Sequence, residues 1–161
     1  DALPIWKMAL ETANSVLGVT ESAGDPLGAR NTAALAYARL EYEEGLNALE
    51  ARFTQGNAWT SLARCLLLYK LERTPAARRS LRGFAQLNQG AAYAMMRPVF
   101  VEVYLPDRPD YAPGSFEEAM AAVHEAEVII ADTPDFVAWC QAQAWFEADA
   151  RAYAEKHDLD W

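Results

Sequence analysis

A pattern of small and apolar residues that recurs 27 positions apart is the feature that most constrains this fold. The recurring residues are Leu35-Ala36, Leu40 and Tyr42, followed by Leu62-Ala63, Leu67 and Tyr69. Each set has helical spacing and precedes a short break and a second apolar helix. A helix pair of this kind leaves an apolar face exposed unless the next pair covers it. Residues 31–88 therefore predict two tandem helix-turn-helix repeats within an all-α chain that forms an α-solenoid.

Local residue signals predict where these repeat helices begin. Asn31 or Thr32 can cap the first helix of the first repeat, because a side-chain oxygen can accept a hydrogen bond from a free helical amide. Gly45 marks the break within that repeat. In the second repeat, Thr74 is the predicted cap and Pro75 the first helical residue, a position that proline favours.

A proline-rich segment, residues 97–114, interrupts the helical pattern after a short predicted helix at Ala91–Met96. Proline fixes its own backbone and disfavours helix in the residue before it. We therefore predict an extended crossing between the repeats and a C-terminal cap. Its prolines are Pro98, Pro106, Pro109 and Pro113, and the apolar residues expected to press on the helices are Val99, Val101 and Val103.

Residues 115–157 predict a C-terminal cap made of a helix pair. Ser115 and Glu118 have the spacing of a capping box, in which each side chain can satisfy a free amide near the start of a helix. Thr133 is the predicted cap of a long final helix, with Pro134 at its first position. Together with the repeats, this organisation gives a single domain of about seven helices.

The charge distribution argues against a nucleic-acid-binding function. The chain has 161 residues and a net charge of −9, and the sequence from Glu117 onward holds eleven acidic and two basic residues. Nucleic-acid affinity depends on clustered lysine and arginine, and an acidic half repels phosphate. No apolar run reaches the length of a membrane span, so no membrane partner is predicted.

The two cysteines, Cys65 and Cys140, lie within helical apolar patterns, which indicates buried free thiols. A reducing compartment, the cytoplasm, is the predicted location. The chain begins without a methionine, and we expect it to be a piece of a longer protein.

Residues for catalysis or for cofactor binding are not recognisable in the sequence. His124 and His157 lie on different predicted helices, and His124 lacks a second histidine four residues later, which a helical zinc motif requires. No glycine-rich phosphate loop occurs. We predict no catalytic, cofactor or metal site, and that the chain is not an enzyme.

One basic stretch, from Arg64 to Arg82, holds six basic residues and one acidic residue. The interpretation we favour is a solvated face of two helices. The alternatives are a surface for an acidic peptide or for the acidic half of the same fold and, less favoured, an RNA-binding surface.

Several stretches resemble the bacterial tetratricopeptide-like proteins, some of which carry a metal-binding SEC-C segment. The resemblance covers residues 25–140 and lies in the order of four pieces: "DPLGARNTAALAYARLEYEEG", "NAWTSLARCLLLYKLERTPAARRSL", "LPDRPDYAPGSFEEAMAAV" and "TPDFVAWC". It implies stacked helices used for protein contact, with no catalytic residue. The chain departs from the family in its shorter repeat, since tetratricopeptide units typically have 34 residues. It also lacks a SEC-C cysteine cluster.

These observations predict a protein-protein interaction scaffold or adaptor that binds a peptide or protein partner. By analogy with helical repeats, the inner face of the first helix of each pair is the expected contact surface. The residues predicted on it are Tyr37, Glu41, Arg64 and Leu68.

Two further hypotheses follow from the same residues. A small molecule or acyl chain, in an enzymatic or purely binding site, can occupy a pocket between the repeats and the cap. A closed apolar cavity would favour this alternative, whereas an open groove of mixed polarity would favour a peptide. The second hypothesis is a homodimer contact through the C-terminal helix, where Trp145 points to one side of Trp139 and Phe146.

Overall fold

The computed structural model describes residues 3–19, 28–97 and 111–161, which form nine α-helices and no β-strand. The helices are α1 (Leu3–Val19), α2 (Ala29–Arg39), α3 (Glu43–Arg52), α4 (Ala58–Lys70), α5 (Thr74–Leu87), α6 (Ala91–Met96), α7 (Phe116–Ala131), α8 (Phe136–Gln141) and α9 (Ala144–Lys156). The predicted all-α class is confirmed for this part of the chain. The short predicted helix before the proline-rich segment is confirmed as α6.

The turns that end α2 and α4 have the same backbone geometry. In each, an amide donates to the carbonyl oxygen five positions earlier. These hydrogen bonds are Tyr42 N to Tyr37 O and Arg73 N to Leu68 O, both 2.9 Å. The preceding residue is left-handed in both turns, with φ of 57° at Glu41 and 61° at Glu72. This is the Schellman arrangement, which satisfies the last free carbonyls of a helix.

The two turns are spaced differently from the apolar pattern in the sequence. Glu41 and Glu72 are equivalent in the structure and lie 31 positions apart, compared with 27 for the sequence pattern. The difference of four residues is about one helical turn, which returns side chains to nearly the same helix face. The buried residues of the sequence pattern are Leu35, Ala36, Leu62, Ala63 and Leu67, whereas Tyr42 is 51% exposed. The pattern is one helical turn out of register with the two turns.

Helix α4 lies at the centre of the packing, and nine of its 13 residues are buried. It packs on α2, α3, α5 and α7. Ala36 on α2 and Ala63 on α4 are fully buried, as expected for helices that approach closely through short side chains.

The C-terminal helices extend this packing. Helix α7 packs on α4 and α6, and α9 packs on α6 and α8. A continuous cluster of buried apolar residues includes members from all of α1 to α9. Among the described residues, no helix has the length and apolar character needed to cross a membrane.

The predicted cap of α2 is wrong. The helix begins at Ala29, before Asn31 and Thr32, and follows Gly28, whose φ is 65° and which offers no side-chain hydrogen bond. Asn31 instead accepts a 2.8 Å hydrogen bond through Oδ1 from Nδ2 of Asn57. A residue without a side chain tolerates this left-handed backbone, so glycine replaces a polar cap here.

The predicted break at Gly45 and the predicted cap at Thr74 are also wrong. The break lies at residues 40–42, and Gly45 is inside the first turn of α3. A Cβ atom at Gly45 would overlap the Tyr37 ring, so the glycine permits close packing. Thr74 is the first residue of α5, and no side-chain cap hydrogen bond precedes it. Pro75, predicted as the first helical residue, is the second residue of α5 and still lies in its first turn.

Ser115 is confirmed as the cap of α7, since its Oγ accepts a hydrogen bond from the amide of Glu118 at 3.2 Å. The second half of the predicted capping box differs. The Glu118 carboxylate accepts from the amide of Gly114 at 3.0 Å, while the Ser115 amide donates to the carbonyl of Ala112.

The predicted long final helix is wrong, because the chain forms two helices there, α8 and α9, separated by residues 142–143. Thr133 is not a cap: its Oγ1 donates to the carbonyl of Ile129 at 2.7 Å. Helix α8 begins only at Phe136, after Asp135 with φ of 64°. The predicted C-terminal helix pair is therefore three helices, α7 to α9.

Most of the predicted extended crossing, residues 97–114, lies outside the described residues. This applies to Pro98, Pro106 and Pro109 and to Val99, Val101 and Val103. Pro113 is described and is exposed just before α7.

Candidate functional site

An open groove of about 730 Å³ lies between the repeat helices and the start of the cap. Its walls come from the end of α3 and the following loop, from one face of α4, from one face of α5, and from the first turn of α7. Its lining includes Glu50, Phe53, Thr60, Ser61, Arg64, Ser80, Gly83, Leu87, Gly114 and Glu118. Hydroxyl, charged and apolar groups alternate along this surface, which gives the groove a mixed polarity.

Arg64 on α4 forms one wall of the groove and is held by α3. Its Nη2 atom lies 2.7 Å from Oε2 of Glu50 and donates to Oδ1 of Asn47 at 2.8 Å. Its Nε atom donates to the other Glu50 oxygen at 3.3 Å. This two-point arrangement fixes the plane of the guanidinium group and joins the two helices.

Glu118 on α7 is a buried carboxylate at the opposite wall, and only 6% of its surface is exposed. Its Oε2 atom accepts from Nδ2 of Asn88 at 2.5 Å and from the amide of Gly114 at 3.0 Å. Asn88 Nδ2 also donates to the carbonyl of Ser115 at 3.0 Å. These bonds join the end of α5 to the first turn of α7.

Glu118 and Asn88 each keep one side-chain oxygen without a hydrogen-bond donor among the described residues. Oε1 of Glu118 accepts no hydrogen bond from the described residues, because both bonds reach Oε2. Oδ1 of Asn88 is buried and also has no partner there. Of these two residues, Glu118 lines the groove, and its Oε1 atom is accessible rather than buried, so it is available to a further donor.

Gly83 on α5 keeps the groove wide. A Cβ atom added to it would meet no heavy atom within 4 Å, and the residue lies inside a regular helix. Neither packing nor backbone geometry requires glycine at this position, although glycine in a helix costs about 0.5–1 kcal/mol relative to alanine.

A second groove of about 700 Å³ lies where α2, α4 and α7 end. Its charged residues are Glu41, Lys70, Glu72, Arg78 and Asp132. The Nζ atom of Lys70 donates to the carbonyl of Arg39 at 2.9 Å. Burial, assisted by the charge of Arg39, lowers the pKa of Lys70. The lining has three acidic and two basic residues, and Asp132 pairs with Arg39 at 3.6 Å.

A smaller and more enclosed cavity of about 350 Å³ lies among α6, α7 and α8. Its lining is mainly apolar and includes Met95, Met96, Val123, Ile130 and Val137, with His124 and Glu127 as polar residues. The cavity belongs to the C-terminal helices, whereas the sequence predicted a pocket between the repeats and the cap.

The four residues predicted to contact a partner occupy different environments. Arg64 lines the first groove and Glu41 lines the second. Leu68 is buried. Tyr37 packs against Gly45, and its hydroxyl accepts from Nδ2 of Asn14 on α1 at 3.3 Å. Partner binding by these four residues stays a prediction, and Arg64 is the member that faces the larger groove.

The basic stretch that ends at Arg82 is largely engaged within the protein. Besides Arg64, Arg73 pairs with Glu43 at 2.5 Å, and this hydrogen bond lowers the pKa of Glu43. Arg82 stacks over the ring of Trp145 at 4.3 Å. These contacts favour the interpretation of the stretch as a solvated helical face.

The cysteines are buried free thiols, as predicted. Burial raises the pKa of Cys65 well above its usual range and raises the pKa of Cys140 to about 12. A thiol with a raised pKa is a poor nucleophile. His124 is exposed on α7, and the His157 ring lies 4.2 Å from that of Tyr153. Within residues 3–19, 28–97 and 111–161, no three metal-ligating side chains form a cluster.

The aromatic residues of the C-terminal helices lie mainly against their neighbours. Phe146 is fully buried, whereas Trp139 is partly buried and stacks near Tyr69 at 5.0 Å between ring centroids. Trp145 is partly exposed, with Arg82 over one face of its ring. A homodimer contact through this region stays a prediction.

Sequence reasoning missed Gly83 and interpreted Glu118 only as a capping residue. A glycine in the interior of a strongly amphipathic helix is the signal that could have identified Gly83. No sequence signal links Glu118 to Asn88, because their contact joins residues 30 positions apart.

The chain matches no protein-family model, no curated protein and no solved structure.

Proposed function

We propose that this chain is a protein-protein interaction module that binds a peptide segment of its partner in the groove beside Arg64 and Glu118. The observation that carries the proposal is the groove itself, with its volume of about 730 Å³, open shape and mixed lining. A peptide has both backbone polar groups and side chains to place, and a groove of alternating polar and apolar groups can accommodate both.

The proposed architecture is a short tetratricopeptide-like solenoid closed by the C-terminal helices. The two equivalent Schellman turns and the packing of α2 on α4 support this assignment. Helical repeats use the surface between stacked pairs for protein contact, and the groove includes residues of both units, Phe53 and Arg64 among them.

The proposal is tested by selecting short random peptides displayed on phage against the purified chain. Peptides that bind the groove should lose binding to Gly83→Trp, because the indole fills space that is empty beside α5. Gly18→Trp is the matched control. Gly18 is also inside a helix, and no heavy atom lies within 4 Å of its added Cβ.

Binding would be measured by calorimetry with the selected peptides. We expect a loss of at least about 10-fold in affinity for Gly83→Trp and little change for Gly18→Trp, since a blocked groove removes contacts worth more than about 1.4 kcal/mol. Equal binding to both variants, or a selection without any peptide that binds specifically, would contradict the proposal.

The apolar cavity among α6, α7 and α8 supports a second candidate function, the binding of a small apolar ligand or acyl chain. Its volume of about 350 Å³ is at the lower end of small-molecule sites. His124 and Glu127 would supply the polar groups that orient such a ligand. Titration with fatty acids of graded length tests this candidate, with Val123→Trp as the cavity-filling variant. Equal uptake by this variant would contradict it.

A further inference from the structure

We propose that the groove recognises a cationic side chain of the bound peptide, a lysine or an arginine, with Glu118 as its counter-ion. This inference rests on the proposed peptide-binding function and names the chemistry of the ligand. Glu118 is buried, borders the groove and keeps Oε1 without a donor among the described residues.

The buried position of the Glu118 carboxylate favours a positively charged partner. Glutamate is almost never fully buried unless it is paired, because a charge loses its hydration on burial. The salt bridges formed by the described residues do not include Glu118. Its position in the first turn of α7 lets the helix dipole stabilise one negative charge, and the donors found there all bind Oε2.

Among the described residues that line the groove, no basic side chain is free to pair with Glu118. Arg64 is the basic residue in its lining, and its guanidinium is held by Glu50 and Asn47. Moving Arg64 to Glu118 would leave Glu50 unpaired and would break the link between α3 and α4. A basic side chain of the ligand would supply the positive charge that Glu118 lacks among the described residues.

The lining of the groove suits the long side chain of a lysine or an arginine. Leu87, which is 41% exposed, lies on the same wall as Gly83 and offers an apolar surface for a methylene stem. Lysine and arginine pack their stems on apolar groups and keep the charged end near polar partners. The hydroxyl groups of Thr60 and Ser61 lie in the same lining and can accept further hydrogen bonds from an ammonium or guanidinium group.

The long-range electrostatic field of the protein also favours a basic ligand. The chain carries a net charge of −9, and an acidic protein attracts cationic partners and repels acidic ones before contact. Charge complementarity at long range and at Glu118 therefore favours the same class of ligand.

The experiment begins with peptides from the selection that bind wild type and lose binding to Gly83→Trp. Each is synthesised with its arginine or lysine and as a neutral copy with citrulline or norleucine in that place. We expect the neutral copy to bind wild type about 10- to 100-fold more weakly, the range for a hydrogen bond to a charged group. Against Glu118→Gln the two peptides should bind almost equally.

Glu117→Gln is the matched control, because Glu117 is the exposed neighbour in the same helical turn and the substitution removes the same charge. It should keep the preference for the basic peptide. If the neutral copies bind wild type as tightly as the basic ones, the inference is overturned and the groove still binds peptides. If no peptide depends on Gly83, the proposed function fails as well.

A measurement that needs no variant keeps the inference testable if Glu118→Gln does not fold. N-acetyl-arginine amide and N-acetyl-citrulline amide are titrated separately into the ¹⁵N-labelled protein. Saturable shifts of the Gly114 and Gly83 amide signals with the arginine compound, and not with the citrulline compound, are expected. Equal effects of both compounds, or no effect of the arginine compound, would overturn the inference.

Discussion

At the residue scale, three glycines serve different purposes. Gly90 combines a left-handed φ of 69° with a site where a Cβ atom would lie 2.7 Å from Phe116 Cδ2 and Tyr153 Cζ. Gly45 makes room for the Tyr37 ring. Gly83 has neither requirement, and it borders the groove.

Gly90→Ala and Gly83→Ala should therefore have opposite effects on the free energy of unfolding. The first substitution forces a left-handed alanine and crowds two rings, and we expect a loss of about 2–4 kcal/mol. The second removes a helix-breaking residue, and we expect a gain of about 0.5–1 kcal/mol. Urea denaturation measures both. A stable Gly90→Ala protein would mean that the contacts of Gly90 are misplaced.

Lys70 gives a prediction about pH. Burial is the main cause of its lowered pKa, and the nearby charge of Arg39 adds to it. Between the folded value and the ordinary lysine value of about 10.4, the unfolded chain binds more protons than the folded one. The free energy of unfolding should therefore gain a contribution that rises with pH across this window. NMR titration of the Lys70 side chain should give a midpoint below 10.4, and a midpoint at or above it would contradict the assignment.

At the element scale, helix ends are set more by backbone turns than by side-chain caps. Helices α2 and α4 end in matching Schellman turns, and α2, α3 and α5 start without a side-chain cap. Two described helices have a side-chain cap. Asn57 caps α4 through the amide of Thr60, and Ser115 caps α7.

Alanine substitution distinguishes Ser115, which caps α7 in the structure, from Thr74, which only the sequence predicts as a cap. Ser115→Ala should lower the free energy of unfolding by about 1 kcal/mol, because the amide of Glu118 loses its acceptor. Thr74→Ala should change it by less than about 0.5 kcal/mol, because Thr74 accepts no capping hydrogen bond. Thermal unfolding of the two variants gives the comparison, and equal losses would mean that Thr74 acts as a cap in solution.

At the scale of the whole molecule, the repeats and the C-terminal helices are joined by polar contacts as well as by a shared core. The indole of Trp59 on α4 donates to Oε2 of Glu125 on α7 at 2.6 Å. The hydroxyl of Tyr69 donates to the carbonyl of Pro134 at 3.2 Å. Both links connect α4 to the C-terminal part of the chain.

Because the buried apolar cluster includes all nine described helices, we expect the repeats and the cap to unfold together. Tryptophan fluorescence, which reports on Trp59 and Trp145 among others, and far-UV circular dichroism should give coincident urea transitions. The control is the Trp59→Phe variant, whose fluorescence should follow the cap more closely and still give the same midpoint as circular dichroism. Two separated transitions would contradict a single cooperative unit.

The sequence by itself determined the helical class, the buried faces, the buried cysteines and the cap at Ser115. Each depends on residues that are close along the chain: helical spacing gives the faces, and the capping serine acts three residues away. The tandem repeats stay a prediction, and the spacing of 27 in the sequence differs by about one helical turn from the 31 residues between the matching turns at Glu41 and Glu72.

Only the tertiary structure decided which turns end the helices, and which groups remain unpaired beside the groove. Asn88 meets Glu118 because α5 and α7 are brought together by the folding of the chain between them. The open space beside Gly83 likewise depends on where neighbouring helices stop. Local patterns specify hydrogen bonds within a helix, whereas a groove is the space that packed helices leave between them, and its shape depends on all of them at once.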